Sequence, residues 1–310
     1  MKVLLIGIRD WAYVGYTLSK CLQTVDIEAN MLVKLPYTFR PNCGVSFYDD
    51  MAKVKRYAEE ADIIQFMNGQ WVETGVDLSK KRVFVFYGGT NYRTNSQELC
   101  NIFNPIVEKS IIQTGDLFSL GANNEVWLLP AVDLDILKPN YKRKSNKLII
   151  DYFPSSSMKG PGIVDVLKKL QKQFGGRFEY ITDTKRMSWK QHMKRVADCD
   201  VYIESCSITQ KYKDNYYKTG AWGIAALEAA ALGNIVMASF LDSEAYKNEY
   251  GQHALRVVNT LPELESELIE LFSLTDNELL HYKKETRLWV EKFHSLKAVG
   301  KRLKEKVYEI

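Results

Sequence analysis

The stretch at residues 220–234 combines two glycines with one carboxylate in a pattern that suits ligand binding. Gly220 and Gly223 are three positions apart, and glycine allows a backbone to approach a ligand closely. The run of Ala and Leu after them predicts a short helix that ends at Gly233. Its only carboxylate is Glu228, and a buried carboxylate needs a partner. That partner is either a structural one, such as a helix cap or a salt bridge, or a bound ligand.

A second stretch, residues 155–160, has the composition of an anion-binding loop. It holds three serines, Lys159 and Gly160 just before a helix predicted over about 162–173. Helix N-termini bind phosphate through backbone N–H groups, and a lysine ammonium suits phosphate oxygens. The two stretches together predict a loop for a diphosphate and a carboxylate, Glu228, for a ribose diol. An ordinary capped surface loop with an exposed lysine is the alternative.

Strand-like and helix-like segments alternate in both halves of the chain, as in parallel sheets covered by helices. The strands are predicted at residues 3–6, 31–35, 62–66, 83–87, 110–113, 126–129, 148–150, 178–182, 200–203 and 235–239. The helices are predicted at residues 16–23, 48–60, 162–173, 189–197, 224–232, 261–272, 276–293 and 295–308. Since ligands bind at the carboxyl ends of parallel strands, we expect both stretches to lie at that edge of the second sheet.

The segment at residues 135–147 is polar and basic and contains Pro139, which predicts a linker between two domains. We expect an acceptor-side domain at 1–140, a donor domain at 141–290 and a last helix at 291–310. The charge of the linker favours a solvated hinge over a nucleic-acid patch. Two Rossmann-like halves joined by a hinge predict a deep cleft between facing strand ends.

Composition excludes several classes of protein. The net charge of +4 is compatible with an anionic substrate but too small to indicate a nucleic-acid ligand. Five cysteines without a CxxC pair and four scattered histidines argue against a zinc site and a disulfide framework. Reduced cysteines suit the cytoplasm. Because no apolar run is long enough to span a membrane, we expect a soluble cytoplasmic protein whose membrane contact, if any, is peripheral.

Four segments resemble those of glycosyltransferases with the GT-B fold, in the retaining family-four group (glycosyl transferases group 1). Residues 126–139 resemble the inter-domain segment, 153–160 the donor diphosphate loop and 220–233 the nucleotide-sugar motif. Residues 289–295 resemble the segment before the last helix. The resemblance implies an α/β protein of two Rossmann-like domains that face each other across a cleft. It also implies a C-terminal helix that crosses back to the first domain.

The resemblance also implies roles for individual residues. Glu228 is at the position of the glutamate that binds the donor ribose, and Lys159 with the loop amides is expected to stabilise the leaving diphosphate. Arg93, in a glycine-then-arginine turn at 88–93, is expected to add a positive charge across the cleft, with a surface salt bridge as the alternative. Lys159 and Arg93 are therefore the catalytic candidates. The donor-binding candidates are Ser155, Ser156, Ser157, Lys159, Gly160, Gly220, Trp222, Gly223 and Glu228. The acceptor-side candidates are Arg9, Asp10, Tyr13, Gly15, Gly88 and Gly89.

The sequence departs from the family at two positions. Gly220 replaces a glutamate that contacts the transferred sugar, and Pro154 replaces an arginine of the diphosphate loop. Asp133 and Asp135 look like a metal-binding DxD pair, but their place in the inter-domain segment favours hinge structure. We therefore expect no metal and no other cofactor.

The implied reaction is transfer of a hexose or pentose from a UDP- or GDP-linked sugar to a hydroxyl, with retention. A surface or lipid-linked glycan is the expected acceptor, and no pair of hydrolase-type carboxylates is evident. Two alternatives stay open. The acceptor is a hydroxylated nucleic-acid base, or the protein binds nucleotide sugars without turnover.

Overall fold

A computed structural model describes residues 1–37, 46–143, 145–153, 160, 162–182, 187–212, 215–218, 222–241 and 243–310. Within these residues the chain divides into two compact units. The first unit is Met1–Asp133 together with His294–Ile310, and the second is Leu134–Phe293. The boundaries predicted from the sequence are residues 140 and 290.

Helices and parallel strands alternate through both units. The strands are β1 (Lys2–Arg9), β2 (Glu28–Leu35), β3 (Ser46–Phe47), β4 (Ile63–Phe66), β5 (Arg82–Tyr87), β6 (Lys109–Ile112), β7 (Glu125–Trp127), β8 (Leu148–Tyr152), β9 (Phe178–Ile181), β10 (Val201–Ile203), β11 (Thr209–Tyr212), β12 (Asn215–Lys218), β13 (Ile235–Ala238) and β14 (Arg256–Val257). The helices are α1 (Val14–Gln23), α2 (Met51–Glu60), α3 (Gly89–Phe103), α4 (Ile163–Phe174), α5 (Trp189–Val196), α6 (Ile224–Ala231), α7 (Ser243–Tyr250), α8 (Leu261–Ser273), α9 (Asp276–His294) and α10 (Leu296–Arg302). Over the described residues, none of these helices is long and apolar enough to cross a membrane.

The first unit is built on a parallel sheet with the strand order β3-β2-β1-β4-β5-β6-β7, as far as the structure describes it. The middle strands are apolar on both faces because helices cover both sides. The chain runs outward from β1 to β3 and then returns to the other side of β1 as β4. The strand order therefore reverses between β1 and β4, and the carboxyl ends of these two strands are where such a sheet binds ligands.

The last helix belongs to the first unit and packs on α1. Gly300 of α10 lies so close to α1 that an added Cβ would be 2.2 Å from the carbonyl oxygen of Cys21. A glycine at this position therefore sets the distance between the two helices. Beyond α10, the hydroxyl of Tyr308 donates to Oε1 of Gln65 in β4 at 2.6 Å, which ties the C-terminus to the sheet.

The second unit has a parallel sheet with the order β14-β13-β10-β8-β9 among the described residues. Its core lies between the sheet and helices α4 and α8, whose buried apolar residues include Ile163, Leu167, Leu264 and Leu268. The chain goes from β8 to β9 on one side and then to β10 on the other. The strand order therefore reverses between β8 and β10, next to the segments predicted to bind the donor.

Several elements are missed by the sequence prediction. The antiparallel hairpin β11–β12 has the sequences TQKY and NYYK, which lack an apolar run. Strands β3 and β14 are two residues long, which is too short for a periodicity signal. The glycines at 88 and 89 predict a turn, whereas the structure begins the 15-residue helix α3 at Gly89.

Candidate functional site

In the second unit, both predicted donor segments follow the two strands that flank the reversal of strand order. Ile203, the last residue of β10, pairs with Tyr152 at the end of β8. The loop after β8 leads to α4, and the longer segment after β10, which includes the hairpin, leads to α6. The N-termini of α4 and α6 therefore follow the edge where parallel sheets bind ligands.

Glu228 lies in α6 and is only 6% exposed. Trp189 contacts it within the unit, since the indole Nε1 donates to Oε1 of Glu228 at 2.6 Å. Trp189 is the first residue of α5, and a capping box between Ser188 and Gln191 fixes the start of that helix. The bond from Trp189 therefore fixes the orientation of the Glu228 carboxylate.

Trp222 is buried in an aromatic cluster rather than displayed at the surface. Its ring lies edge-on to Phe240, Tyr246 and Trp289, with centroid distances of 4.5, 5.3 and 5.6 Å. The next residue, Gly223, is the N-cap of α6. The cluster therefore anchors the start of α6 by packing, and a contact between Trp222 and the donor stays a prediction.

The start of α4 requires glycines. Gly160 has a φ of +131°, and an added Cβ would be 2.3 Å from Cδ1 of Ile163. Gly162 is the N-cap of α4, with a φ of +93° and, in the described part, no side-chain hydrogen bond to the helix. Ser155, Ser156, Ser157, Lys159 and Gly220 lie outside the described residues.

A buried ion pair, missed by the sequence analysis, lies beside the end of β8. Asp151 is fully buried in β8, and Arg195 of α5 donates to it through Nη2 at 2.7 Å and Nε at 3.1 Å. Burial raises the pKa of Asp151, while the charge and hydrogen bond of Arg195 oppose that shift. The guanidinium lies 4.5 Å from the ring centroid of Phe153, the last described residue before the predicted diphosphate loop. The pair therefore holds the residue from which the loop begins.

His192 and Glu204 also lie at this edge and were not predicted. Burial, and then the charge of Arg195, lower the pKa of His192 to about 4, so its imidazole is neutral at pH 7. Glu204 is 3% exposed and directly follows β10. Burial raises the pKa of the neighbouring Tyr202 hydroxyl, and the charges of Glu204, Asp151 and Glu228 add to this shift. A lone histidine in a helix and a lone glutamate after a strand have no spacing pattern from which to predict a site.

In the first unit, Asp10 and Gly15 have a structural role at the start of α1. The carboxylate of Asp10 is 2% exposed and accepts from the backbone N–H groups of Gly15 and Tyr16, both at 2.8 Å. Burial raises the pKa of Asp10 to about 6 against the effect of these two bonds. Gly15 cannot be replaced freely, because an added Cβ would be 2.6 Å from Sδ of Met31.

Arg9 lies at the reversal of strand order in this sheet. Gln70 bonds to its backbone twice, accepting from the N–H at 2.7 Å and donating to the carbonyl at 2.9 Å. The guanidinium of Arg9 lies 4.9 Å from the ring centroid of Trp11. Nε of Arg9 and Nδ2 of Asn68 are both buried and have no hydrogen-bond partner among the described residues. Tyr13 has a structural role, since its hydroxyl donates to the backbone carbonyl of Tyr37 at 3.0 Å.

Arg93 and the two glycines before it belong to the first turns of α3. Nε of Arg93 donates to Oδ2 of Asp116 at 2.5 Å, and both side chains are largely buried. Arg93 therefore forms a largely buried ion pair rather than a surface salt bridge, and its role as a catalytic cation stays a prediction. An added Cβ at Gly88 would be 2.5 Å from Oε1 of Gln113, whereas Gly89, at φ +68°, faces open space.

Comparison with known proteins identifies the fold. No protein-family model matches the chain, and no curated protein sequence matches it. Among solved structures, the chain is similar over its full length to Alr3699/HepE of Anabaena in complex with UDP and glucose, with a TM-score of 0.63, 12% identity and 100% coverage of both chains. The chain has the GT-B fold.

Two other solved structures have the same fold as this chain. Sucrose-phosphate synthase from Thermosynechococcus elongatus has a TM-score of 0.63 and 11% identity, with 99% of this chain and 98% of that chain covered. AviGT4, a glycosyltransferase involved in avilamycin A biosynthesis, has a TM-score of 0.55 and 12% identity, with 97% and 95% covered. Identities this low establish the fold alone. They confirm the predicted GT-B class, with its two parallel sheets and its C-terminal helix returned to the first unit.

The predicted DxD pair of this GT-B chain is split between the units. Asp133 forms an ion pair with Lys20 in the first unit. Asp135 is highly exposed in the second unit, where it is 3.8 Å from Lys138. Among the described residues, no group of three or more His, Cys, Asp or Glu side chains is placed to hold a metal ion.

Proposed function

We propose that this protein is a glycosyltransferase that moves a sugar from a nucleoside-diphosphate sugar to a hydroxyl of an acceptor, with retention. The observation that carries the proposal is the bond from Trp189 to the buried carboxylate of Glu228. It orients a buried carboxylate in the helix that follows the carboxyl ends of β8 and β10. A carboxylate in that place is suited to accept both hydroxyls of a ribose.

The donor that we propose is a UDP-linked hexose. Alr3699/HepE, which shares the fold, was solved with UDP and glucose and also with UDP-glucose. Uridine is therefore the first choice of base and guanosine the second. The thermal-unfolding experiment described below also tests UDP-linked pentoses as donors.

The leaving diphosphate would be stabilised at the start of α4. Gly162 has no side chain to cap this 12-residue helix, and in its first turn the N–H groups of Ile163 and Asp165 donate to the carbonyls of Gly160 and Gly162. The helix dipole favours negative charge at this end. We propose that Lys159, with Ser155, Ser156 and Ser157, completes this site and that no metal ion is needed. The departures at Gly220 and Pro154 leave these groups as the main source of positive potential for the diphosphate.

The acceptor would bind to the first unit near the carboxyl ends of β1 and β4. Arg9 has a buried Nε without a partner among the described residues, and Gly89 faces open space at the start of α3. Asp10, Tyr13 and Gly15 would act indirectly, by fixing the loop after β1. We propose a surface or lipid-linked glycan as the acceptor and the cytoplasm as the location.

The donor site is tested by thermal unfolding of the wild type with UDP, GDP, ADP and their sugars. A ligand at about 100 times its Kd stabilises a folded protein by about 2.7 kcal/mol. We expect UDP and UDP-glucose to raise Tm, and we expect the increase to be lost in Glu228→Gln. Glu249→Gln, which changes an exposed carboxylate of the same unit, serves as the matched control. The donor site is wrong if no nucleotide raises the Tm of the wild type.

Turnover is measured separately from binding. UDP release from UDP-glucose, with and without a glycan acceptor mixture, distinguishes a transferase from a protein that only binds nucleotide sugars. Binding without release under every acceptor would support the second alternative. A steep fall of acceptor affinity with salt would instead favour a nucleic-acid acceptor, since phosphate contacts release counterions.

A further inference from the structure

The second unit contains a cavity of about 680 Å³ that is separate from the predicted donor segments. Its walls come from the start of β13, from β14 and the residues before it, and from α8 and α9. Ile235, which lines it, is the first residue of β13. The cavity therefore lies toward the amino ends of the edge strands, whereas the segments predicted for the donor follow the carboxyl ends of β8 and β10.

Arg256 is the central polar group of this cavity. Its Nη1 donates to Oε2 of Glu267 at 2.6 Å and to Oε1 of Glu270 at 2.9 Å. The guanidinium also lies 4.6 Å from the ring centroid of Tyr282. Its Nε is buried, and the described residues give Arg256 no other hydrogen bond. One edge of the planar group is thus held by α8, while Nη2 on the opposite edge is the donor that remains for a ligand.

The other wall residues add planar polar groups and one accessible ring. Glu285 is exposed and makes no ion pair or hydrogen bond with any described residue, and Gln252, in the chain segment before β14, also lines the cavity. Carboxylates, amides and guanidinium groups each present two neighbouring polar atoms, which suit the two hydroxyls of a vicinal diol. Tyr282 is 38% exposed and offers an apolar ring face with a polar tip, against which the C–H face of a sugar packs.

Charge and size restrict the ligand further. Three carboxylates, those of Glu267, Glu270 and Glu285, face two permanent cations, Arg256 and Lys292, and the lining also includes His253 and His281. Burial lowers the pKa of His253, so this imidazole adds no charge at pH 7. The excess of negative charge disfavours phosphates and nucleotides. The volume is within the range of about 300–1,000 Å³ that is typical of small-molecule sites.

We propose that this cavity is a binding site for an uncharged saccharide of about one or two residues. The proposal does not depend on the proposed function of the donor segments. Aromatic rings lie between the cavity and the start of α6. Trp289 lines the cavity, donates to the hydroxyl of Tyr246 at 2.9 Å and packs on Trp222, the residue before the N-cap of α6. In the experiments below, UDP is added to keep disaccharides out of the donor site, and the Tyr282 variants show whether the bound sugar lies in the cavity.

The test is saturation-transfer NMR and calorimetric titration with maltose, cellobiose and lactose in the presence of saturating UDP. We expect saturation transfer to at least one disaccharide. We also expect its Kd to rise at least tenfold in Tyr282→Ala. Tyr282→Phe keeps the ring and is expected to retain binding. Tyr216→Ala removes a tyrosine that is 70% exposed on β12, away from the cavity, and is the matched control. Should Tyr282→Ala not fold, Glu285→Gln on the same wall is expected to weaken binding at least threefold.

Three results would overturn the proposal. One is the absence of transfer to all three disaccharides. Another is saturation transfer to the disaccharide that is unchanged in Tyr282→Ala. If Tyr282→Ala does not fold, unchanged saturation transfer in Glu285→Gln has the same meaning. The third is binding of glucose 6-phosphate as tight as that of glucose under the same conditions, because the negative excess predicts at least tenfold weaker binding of the anion. Failure of UDP to bind would contradict the proposed function, whereas the loss of disaccharide binding in Tyr282→Ala would still support this cavity as the saccharide site.

Discussion

Trp189 and Glu228 are 39 positions apart and are joined by a hydrogen bond of 2.6 Å from the indole Nε1 to the carboxylate Oε1. The bond connects the first turn of α5 to the middle of α6, two helices on the same sheet. A bond to a charged group contributes about 1.5–3 kcal/mol. It both stabilises a buried carboxylate and sets the direction of its remaining lone pairs.

Trp189→Phe removes this donor and keeps an aromatic ring. Without the bond, Glu228 loses its fixed orientation, so we expect the affinity for UDP to fall about 10-fold or more. Isothermal titration with UDP measures the change. Trp71→Phe, at a 40% exposed tryptophan of the first unit, is expected to leave UDP affinity unchanged. Equal affinities of wild type and Trp189→Phe would mean that the bond does not orient the donor site.

Gly300→Ala tests the packing of the returning helix. The added methyl would be 2.2 Å from the carbonyl oxygen of Cys21, so α10 and α1 must separate. Overpacking of this kind costs about 1–3 kcal/mol, and we expect a lower urea midpoint. Gly176→Ala places a methyl where no atom lies within 4 Å and is the control. An unchanged midpoint in Gly300→Ala would show that the two helices move apart without cost.

The raised pKa of Asp10 implies that the free energy of unfolding depends on pH. Its pKa is raised to about 6 in the folded state from the usual value of 3.8. Between these values the folded state holds more protons than the unfolded state, so this group's contribution falls as the pH rises from about 4 to 6. The slope is at most about 1.36 kcal/mol per pH unit. Urea unfolding of wild type and Asp10→Asn across this range isolates the slope, and parallel curves would contradict the raised pKa.

His294 predicts a dependence of the opposite sign. Burial lowers its pKa to about 3 from 6.5, and its Nδ1 lies 2.7 Å from the carbonyl oxygen of Pro130, to which it can only donate. Below pH 6.5 the unfolded state takes up the proton first, so stability is lost as the pH falls from about 6.5 to 3. The difference between wild type and His294→Gln should show this acid-side loss. A wild type that stays as stable at pH 4 as at pH 7, relative to the variant, would contradict it.

The class of fold could be predicted because its signals are local. Apolar runs such as residues 83–87 predict buried strands whatever their neighbours are, and the glycines at 160 and 162 stand where positive φ values are needed. Helix α3 is missed because its N-cap and first residue, Gly88 and Gly89, favour a turn over a helix.

The sequence by itself determined that Glu228, alone in a helix of small apolar residues, must have a partner. It could not say which partner, because a hydrogen bond between side chains 39 positions apart depends on how α5 and α6 are placed on the sheet. The pairing of Arg93 with Asp116 and of Arg195 with Asp151 was decided in the same way. Periodicity along the chain fixes which residues are buried, whereas the identity of a buried group's partner is a property of the packed tertiary structure alone.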